Sequence, residues 1–230
     1  MAGLNRAMGK ALTEKSRVLI VEDHPLFREG LRQMIDRQAT LSVCGEVANA
    51  AAALKAVADL RPDLVIVDIS LEGTNGIDLI KSLKARHEDL PILVISMHDE
   101  ALYAERALRA GALGYVMKNE PARVVKSAMV QVLGGDIFLS EKMSGSVLAK
   151  LMRGKAEAPA SPVELLSDRE LEVFQMLGHG KASRQIAEEL DLSIPTIHSF
   201  RNRIKEKLQL KTSAEMMLHA MQWVRDHMAQ

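Results

Sequence analysis

The sequence has a single cysteine, no long apolar run and no net charge, and each of these features excludes a class of protein. Cys44 has no second cysteine to pair with, which excludes a disulfide scaffold and fits a reducing, cytosolic compartment. No apolar run approaches the roughly 18 residues that a membrane span requires. The 30 basic and 30 acidic residues cancel, which at first argues against a strongly charged partner such as DNA.

The overall composition is that of an ordinary globular protein. Of the 230 residues, 47% are hydrophobic and 26% charged, which excludes a disordered chain and suffices for one large domain or two ordinary ones. Residues 1–15 are mildly basic and lack the apolar stretch of a secretory signal, so we expect an N-terminal extension before the folded part.

Residues 16–135 show short apolar runs that alternate with helical patterns. The runs are rich in β-branched residues, as in strands buried on both faces of a parallel sheet, and they span 17–21, 41–47, 63–67, 91–95 and 113–117. Amphipathic helices are predicted at 25–38, 50–60, 76–86, 100–110 and 121–133. This alternation predicts an α/β domain with a five-stranded, doubly wound parallel sheet.

A second domain of a different class follows. Residues 136–164 combine a helical stretch near 144–152 with an Ala- and Pro-rich stretch that is typical of a linker. Beyond residue 165 no strand pattern recurs, and helices are predicted at 168–177, 183–190, 193–208 and 212–228. We therefore expect an all-α domain of four helices over 165–230.

Three carboxylates stand at predicted strand ends in the first domain. Glu22 and Asp23 follow the first strand, and Asp68 follows the third. These strands are neighbours in a doubly wound sheet, so the side chains should converge at its carboxyl edge. Two carboxylates 4 Å apart repel by about 4 kcal/mol at an effective dielectric near 20. Such a cluster favours a hard divalent cation, and Mg²⁺ fits.

Two further residues complete a predicted phosphoryl-transfer site. Ser96 follows the fourth strand and Lys118 follows the fifth, which places a hydroxyl and an ammonium at the same edge. Phosphoryl transfer depends mainly on positioning and charge stabilisation. Asp68 would be the nucleophile, as in enzymes that form an aspartyl-phosphate.

Each of these residues taken alone would more often be a helix cap or a solvated loop residue. Asp23 or His24, for example, could cap the helix that Pro25 begins. His24 and His98 lie near the same edge, but the oxygen-rich cluster favours hard cations. We expect a capping or structural role for both histidines rather than metal ligation.

The C-terminal helices have the outline of a helix-turn-helix unit. Ser167 and Ser193 are predicted N-caps of the first and third helices. The third helix has one apolar stripe, formed by Ile197, Phe200, Ile204 and Leu208. Its remaining face is polar and basic, and residues 193–211 carry five basic side chains against one acidic, a local charge of +4. The zero net charge therefore conceals a basic helix.

A basic outer face on this helix suits the major groove of DNA, where basic side chains meet phosphates and His, Ser and Asn reach base edges. The predicted DNA contacts are Arg184, Ser193, Thr196, His198, Ser199, Arg201, Asn202, Arg203 and Lys205. The third helix alone fits an ordinary amphipathic helix with a solvated basic face equally well. The preceding helix and turn favour DNA binding.

Both parts of the chain resemble a known family. Residues 17–133, with the segments VLIVEDHPLFREGL, DLVIVDISLEGTNGIDL, VISMHD and AGALGYVMKNE, resemble the receiver domain of bacterial two-component response regulators. Residues 165–215 resemble the LuxR-type helix-turn-helix, and the whole chain is similar to regulators of the NarL/FixJ type. The resemblance implies a flavodoxin-like receiver and a transcription regulator under the control of phosphorylation.

The resemblance also implies individual roles. Asp68 is the implied phosphate acceptor, and the implied Mg²⁺ ligands are Glu22, Asp23, Asp68 and the backbone carbonyl of Ser70. The implied phosphoryl contacts are Ser96 and Lys118, and Tyr115 is the aromatic residue that changes rotamer on activation. Three departures from the family pattern stand out. Glu72 replaces the usual proline, and Glu22 is a glutamate at a position where the family has either aspartate or glutamate. In the second domain, His198 and Phe200 replace the frequent Lys and His.

The implied partners are a sensor histidine kinase, double-stranded DNA and, after phosphorylation, a second copy of the chain. We expect neither binding to a membrane nor enzymatic turnover.

Two alternative functions stay open. One is a Mg²⁺-dependent phosphohydrolase with Asp68 as nucleophile, which is weakened because Ser70 stands where such enzymes commonly place a second acid. The other is a phosphorylation-independent DNA-binding regulator whose first domain is only a dimerisation scaffold.

Overall fold

The computed structural model describes residues 15–141, 143, 145 and 162–228. The chain divides into two compact units between residues 152 and 153. Most of the predicted linker and of the predicted helix near 144–152 lies outside the described residues, so the domain limits at 16–135, 136–164 and 165–230 stay predictions. No helix in the described part is long and apolar enough to cross a membrane.

The first unit contains a parallel sheet. The strands of this unit are β1 Ser16–Val21, β2 Leu41–Val47, β3 Leu64–Val67, β4 Ser70–Leu71, β5 Thr74–Asn75, β6 Ile92–Ser96 and β7 Gly114–Met117. Five of them form one sheet in the order β2-β1-β3-β6-β7 with every pairing parallel, and β4 pairs with β5 in a separate hairpin. This order confirms the predicted doubly wound, flavodoxin-like sheet.

Helices cover both faces of this sheet. They are α1 Pro25–Asp36, α2 Ala50–Leu60, α3 Gly76–Arg86, α4 Glu100–Ala110 and α5 Ala122–Leu133, each within two residues of the prediction. Apolar side chains of α1 and α5 pack on one face, against alternate residues of the strands such as Ile20 and Ile66. The intervening strand residues, such as Leu19 and Val65, are equally buried, which explains why the strands read as continuous apolar runs.

The second unit is helical, as predicted. A 3₁₀ turn at Pro162–Leu165 is followed by α6 Asp168–Gly178, α7 Ser183–Glu189, α8 Ile194–Lys207 and α9 Ser213–Met228. Ser167 caps α6 in a reciprocal capping box with Glu170, whose carboxylate accepts the Ser167 N–H at 2.8 Å. Ser193 caps α8, because its Oγ accepts the N–H of Thr196 at 3.2 Å.

Candidate functional site

The three predicted carboxylates meet at the carboxyl edge of the sheet. β1 and β3 are direct neighbours, with Val21 opposite Val67, so the residues after each strand emerge side by side. One carboxylate oxygen each from Glu22, Asp23 and Asp68, together with a ring nitrogen of His24, lie within 4.8 Å of one another. Glu22 and Asp68 are buried and Asp23 is half-buried, so the cluster carries concentrated negative charge with little solvation.

The Lys118 ammonium lies between two of these carboxylates. Its Nζ is 2.7 Å from Glu22 Oε2 and 2.8 Å from Asp68 Oδ2, and it also lies 4.6 Å from the centre of the Phe27 ring. Burial lowers the pKa of Lys118, but the charges of Asp68 and Glu22 outweigh burial and raise it. Burial and the charge of Asp68 raise the pKa of Glu22. The Lys118 ammonium thus contacts two of the three carboxylates, and its single charge does not balance the cluster.

Asp68 has one oxygen that the protein does not pair. Asp68 Oδ1 is buried and, within the described part of the chain, accepts no hydrogen bond. A buried polar atom without a partner costs about 1–3 kcal/mol, so such an atom commonly has a functional role. The set of hard carboxylate oxygens fits Mg²⁺, which accepts a few carboxylates and keeps several waters.

The chain after Asp68 returns to it through a short hairpin. Ser70 begins the hairpin, and its tip is formed by the exposed Glu72 and by Gly73, which has a φ of 72°. The departure from proline at Glu72 therefore lies at the surface. A Cβ on Gly76 would lie 2.0 Å from the carbonyl oxygen of Asp68, so only glycine allows helix α3 to begin this close to the acceptor.

The loop after β6 connects the predicted switch residues. Ser96 is fully buried and is the last residue of β6 rather than the first beyond it, and its Oγ lies 3.5 Å from the His98 N–H. The hydroxyl of buried Tyr115 donates to the carbonyl of His98 at 2.7 Å. Burial raises the pKa of Tyr115 well above its ordinary value, so the hydroxyl keeps its proton.

The two histidines at this edge have different surroundings. His98 Nε2 lies 2.9 Å from Ser70 Oγ, and the His98 ring lies 4.5 Å from that of Tyr103, which gives it the structural role that we expected. His24 occupies the N-cap position of α1, but its ring makes no capping hydrogen bond among the described residues. Its Nδ1 instead lies 2.8 Å from Asp23 Oδ1. That neither histidine binds metal stays a prediction.

Sequence reasoning missed Arg28, which holds the backbone of the acidic loop. Its Nη1 donates to the carbonyl of Glu22 at 2.5 Å and to that of Asp23 at 3.4 Å. Its Nε lies 3.8 Å from Glu46 Oε2 on β2. The available signal was a basic residue in the first turn of the helix that follows an acidic pair.

The segment after α5 lies along the edge strand of the sheet. Phe138 bridges to β7, donating to the Leu113 carbonyl at 2.8 Å and accepting from the Tyr115 N–H at 3.1 Å. The Ser140 N–H then donates to Glu100 Oε1, in the first turn of α4, at 3.0 Å. The chain that leaves the first unit is therefore bonded both to the strand of Tyr115 and to the helix after His98.

In the second unit, none of the predicted DNA contacts is buried. The residues that are exposed are Arg184, Ser193, His198, Ser199, Asn202 and Arg203, and those that are half-buried are Thr196, Arg201 and Lys205. The apolar stripe of α8 faces inward as predicted, with Ile197 and Ile204 fully buried. The basic face of α8 is thus open to a partner.

Several of these side chains already have intramolecular contacts. The Arg201 guanidinium donates to Ser183 Oγ at 2.6 Å, which joins α8 to the start of α7. Arg184 Nε lies 3.0 Å from Glu188 Oε1. The guanidinium carbon of the exposed Arg203 lies 6.0 Å from the centre of the Phe200 ring.

Comparison with protein families gives two matches, one in each unit. Residues 18–130 match the response regulator receiver domain, and residues 164–220 match the bacterial regulatory proteins of the luxR family. The chain is 30% identical to the oxygen regulatory protein NreC of Staphylococcus carnosus, over 89% of this chain and 96% of the relative. It is 34% identical to a putative transcriptional regulator of Pseudomonas aeruginosa, over 88% and 95%.

Solved structures give the same picture. A two-component response regulator of the LuxR family from Aurantimonas sp. is 29% identical and covers 60% of this chain and 99% of its own, with a TM-score of 0.56. The RcsB protein of Salmonella enterica serovar Typhimurium, bound to promoter P1flhDC in the presence of phosphomimetic BeF₃⁻, is 26% identical. It covers 90% of this chain and 100% of its own, also with a TM-score of 0.56.

Proposed function

Because the chain belongs to the two-component response regulators that join a receiver domain to a LuxR-type DNA-binding domain, we propose that phosphorylation of Asp68 controls its binding to promoter DNA. The observation that carries this proposal is the Asp68 carboxylate. One of its oxygens is held by Lys118 at 2.8 Å, and the other is buried without a hydrogen bond among the described residues. That second oxygen is the nucleophile that we assign.

The phosphoryl donor is a phosphohistidine of a sensor kinase. An Asp68 oxygen forms a bond to phosphorus, the P–N bond of the phosphohistidine breaks, and the imidazole leaves and takes up a proton. When bound, Mg²⁺ would offset the negative charge of the carboxylates and of the phosphoryl oxygens. Its proposed ligands are the three converging carboxylates of Glu22, Asp23 and Asp68 and, from the family resemblance, the Ser70 backbone carbonyl.

Ser96 and Lys118 are the proposed contacts of the transferred group. Lys118 already lies at Asp68, and Ser96 ends the neighbouring strand β6. Movement of the Ser96 hydroxyl toward the phosphoryl group would shift the His98 loop, whose carbonyl holds Tyr115. Because Phe138 bonds to the backbone of Tyr115, the shift would reach the segment that leads to the second domain.

The proposed output is dimeric binding to DNA. The RcsB structure pairs a phosphomimetic with bound promoter DNA, which supports the same coupling in this chain. Two α8 helices would then read half-sites about 34–36 Å apart, one turn of the double helix. The positive charge on the outer face of α8 supports contact with phosphates, because Arg203 is exposed and Lys205 is half-buried there.

A direct test combines phosphorylation with selection of DNA. The full chain is incubated with acetyl phosphate and Mg²⁺, its mass is measured, and genomic DNA fragments that it retains are sequenced with and without the phosphodonor. We expect one added phosphoryl group and enrichment of fragments that contain paired half-sites only after phosphorylation. Equal enrichment in both samples would instead favour the phosphorylation-independent regulator.

The same preparation separates the proposal from the phosphohydrolase alternative. A hydrolase would release phosphate from small phosphate esters in many turnovers per chain, whereas we expect a single labelling that decays slowly. Ser70, two residues after Asp68, supplies a hydroxyl rather than the second acid of such enzymes, and that hydroxyl is engaged with His98 at 2.9 Å. This contact argues against turnover.

Arg203→Ala is expected to weaken DNA binding across all sequences. Loss of one phosphate contact should make the slope of log affinity against log salt shallower by about 0.9. Arg201→Ala should give the same change if Arg201 leaves Ser183 to reach a phosphate. Fluorescence anisotropy of labelled DNA at several salt concentrations measures both slopes, with Arg225→Ala on α9 as the control for loss of an exposed positive charge. An unchanged slope for Arg203→Ala would remove Arg203 from the contacts.

A further inference from the structure

We infer that Arg28 is a positioning residue for the acidic pair, and that it sets the affinity of the receiver for its divalent cation. The inference deepens the proposed function, because it concerns the residues assigned to the cation. Arg28 lies in the first turn of α1, and its side chain reaches back over the loop that precedes the helix. There it donates to the carbonyls of Glu22 and Asp23.

The other contacts of this loop involve its side chains and the Glu22 N–H, not the carbonyls of Glu22 and Asp23. Lys118 Nζ lies 2.7 Å from Glu22 Oε2, and His24 Nδ1 lies 2.8 Å from Asp23 Oδ1. The Glu22 N–H donates to the carbonyl of Val47, the last residue of β2, at 3.0 Å. The Glu22 carboxylate accepts the His24 N–H at 3.0 Å. The carbonyls of Glu22 and Asp23 lie outside the helix, so helical hydrogen bonds do not hold them. Among the described residues, the Arg28 guanidinium is the group that binds both of these carbonyls.

Arg28 is itself anchored at a second point. Its Nε lies 3.8 Å from Glu46 Oε2 on the edge strand β2, and its side chain is 22% exposed. A planar guanidinium with several fixed N–H groups can bind two carbonyls and one carboxylate at once, which the ammonium of lysine does less well. The side chain thus joins α1, the acidic loop and β2.

The contact of Arg28 with these carbonyls matters because a bound cation requires the carboxylates of Glu22 and Asp23 in fixed positions. With the carbonyls of Glu22 and Asp23 held on the Arg28 side, their carboxylates stay within 4.8 Å of the Asp68 carboxylate. Without Arg28, the two carbonyls would lose these hydrogen bonds, and the backbone between Glu22 and Asp23 would oppose the repulsion among the three carboxylates less well, although Lys118 would still hold the Glu22 side chain. Loss of groups that orient metal ligands typically costs 10–100-fold in affinity.

Arg32 provides a matched control one turn further along α1. Its Nε lies 3.5 Å from Glu46 Oε1 and its Nη2 lies 2.5 Å from Glu29 Oε1. It therefore shares the Glu46 contact and the charge of Arg28 but makes none of the described hydrogen bonds to the acidic loop. An effect of Arg28 that Arg32 lacks cannot come from the Glu46 contact. Loss of a positive charge near the site would by itself tighten cation binding, so weaker binding in Arg28→Met points to the two carbonyls.

The test compares Arg28→Met, Arg28→Lys and Arg32→Met in the full chain. Mn²⁺ is titrated as the probe cation and followed by water-proton relaxation, and urea unfolding reports stability. Arg28→Met should weaken Mn²⁺ binding by about tenfold, Arg28→Lys should fall between it and the wild type, and Arg32→Met should stay within about twofold. Wild-type affinity in a folded Arg28→Met chain, or complete rescue by lysine, would overturn the inference.

Hydrogen–deuterium exchange without any cation separates this inference from the proposed function. Amides of residues 22–24 should exchange faster in Arg28→Met than in Arg32→Met, because only the former frees the loop. If the wild type binds no cation yet the exchange difference is present, the proposed function fails and with it the effect on affinity, while the positioning of the loop by Arg28 stands. If exchange is equal in the two folded variants, the positioning role fails, whatever the cation does.

Discussion

Asp68→Asn is expected to abolish phosphoryl uptake completely while leaving the fold intact. The amide cannot attack phosphorus, so the acceptor is lost. Its carbonyl oxygen can still accept from Lys118, whose Nζ lies 2.8 Å from Asp68 Oδ2. The substitution also removes one of three converging negative charges, so stability should stay within about 1 kcal/mol of the wild type. Asp68→Ala should lose the signal response in the same way.

Intact-mass spectrometry after incubation with acetyl phosphate and Mg²⁺ checks this prediction. The wild type should gain one phosphoryl group and the variant none, while urea unfolding curves coincide. Asp59→Asn is the matched control, because Asp59 is an exposed acid on α2 and is not part of the acidic cluster. Labelling of the Asp68→Asn chain would mean that another acid accepts the group. An unchanged promoter response in cells would favour the phosphorylation-independent regulator.

The position of Asp68 could be predicted because it depends on local pattern and on one rule of topology. The run that ends at Val67 is wholly buried, and such runs mark strands of a parallel sheet from sequence alone. The doubly wound order then makes the first and third strands neighbours. Every residue that directly follows these strands must emerge at the same edge.

The contacts between these side chains could not be predicted in the same way. Lys118 lies 50 residues from Asp68 in sequence, and the pattern places it at the edge but not between two carboxylates. His98 and Ser70 are in contact although they lie 28 residues apart in sequence. Arg28 looks like an ordinary basic residue of an amphipathic helix. Such contacts depend on side-chain rotamers and on local burial, which a hydrophobic period does not encode.

The DNA-binding unit shows the same limit. The spacing of the apolar residues in α8 predicted which face of the helix is buried, and Ile197 and Ile204 are fully buried as expected. The partner of a side chain on the other face was not predictable, because Arg201 turns toward Ser183, 18 residues away, on the helix that crosses α8. The sequence therefore predicted which face of α8 is buried more reliably than it predicted the partner of each side chain on the other face.

Lys118→Met is expected to destabilise the receiver when no divalent cation is present, and also to tighten cation binding. The Lys118 side chain is 6% exposed and the carboxylates of Glu22 and Asp68 are 2% exposed. Removing one partner of a buried ion pair costs about 3–5 kcal/mol, because the remaining charges are left unpaired. The same loss removes a positive charge that competes with a cation, so Mg²⁺ should bind about tenfold tighter, equivalent to about 1.4 kcal/mol.

The destabilisation should depend on pH through Glu22. Burial and the charge of Asp68 already raise the pKa of Glu22 above its ordinary value of 4.5, and Lys118 works against that rise. Without Lys118 the pKa rises further, so folded Glu22 keeps its proton at pH values where the unfolded chain has lost it. The folded state then binds more protons, and stability falls as pH rises from about 4.5 through the new pKa. The difference from the wild type should be largest near pH 7–8 and smallest near pH 5.

Urea unfolding of the full chain at pH 5 and pH 7.5, in EDTA and in Mg²⁺, measures these effects together. A cation at 100 times its dissociation constant adds about 2.7 kcal/mol. Because the wild type gains stability too, but binds about tenfold less tightly, the loss relative to the wild type should shrink by about 1.4 kcal/mol in Mg²⁺. Lys55→Met, at an exposed lysine of α2, should change neither property. The Lys118 ammonium lies 4.6 Å from the centre of the Phe27 ring. A loss of stability that is equal at both pH values and in both solutions would mean that Lys118 acts by packing on Phe27 rather than by its charge.

Phosphoryl uptake by the Lys118→Met chain should fall even at saturating Mg²⁺, because the fixed cation that would meet the transferred group is gone while the acceptor and the ligands of the metal remain.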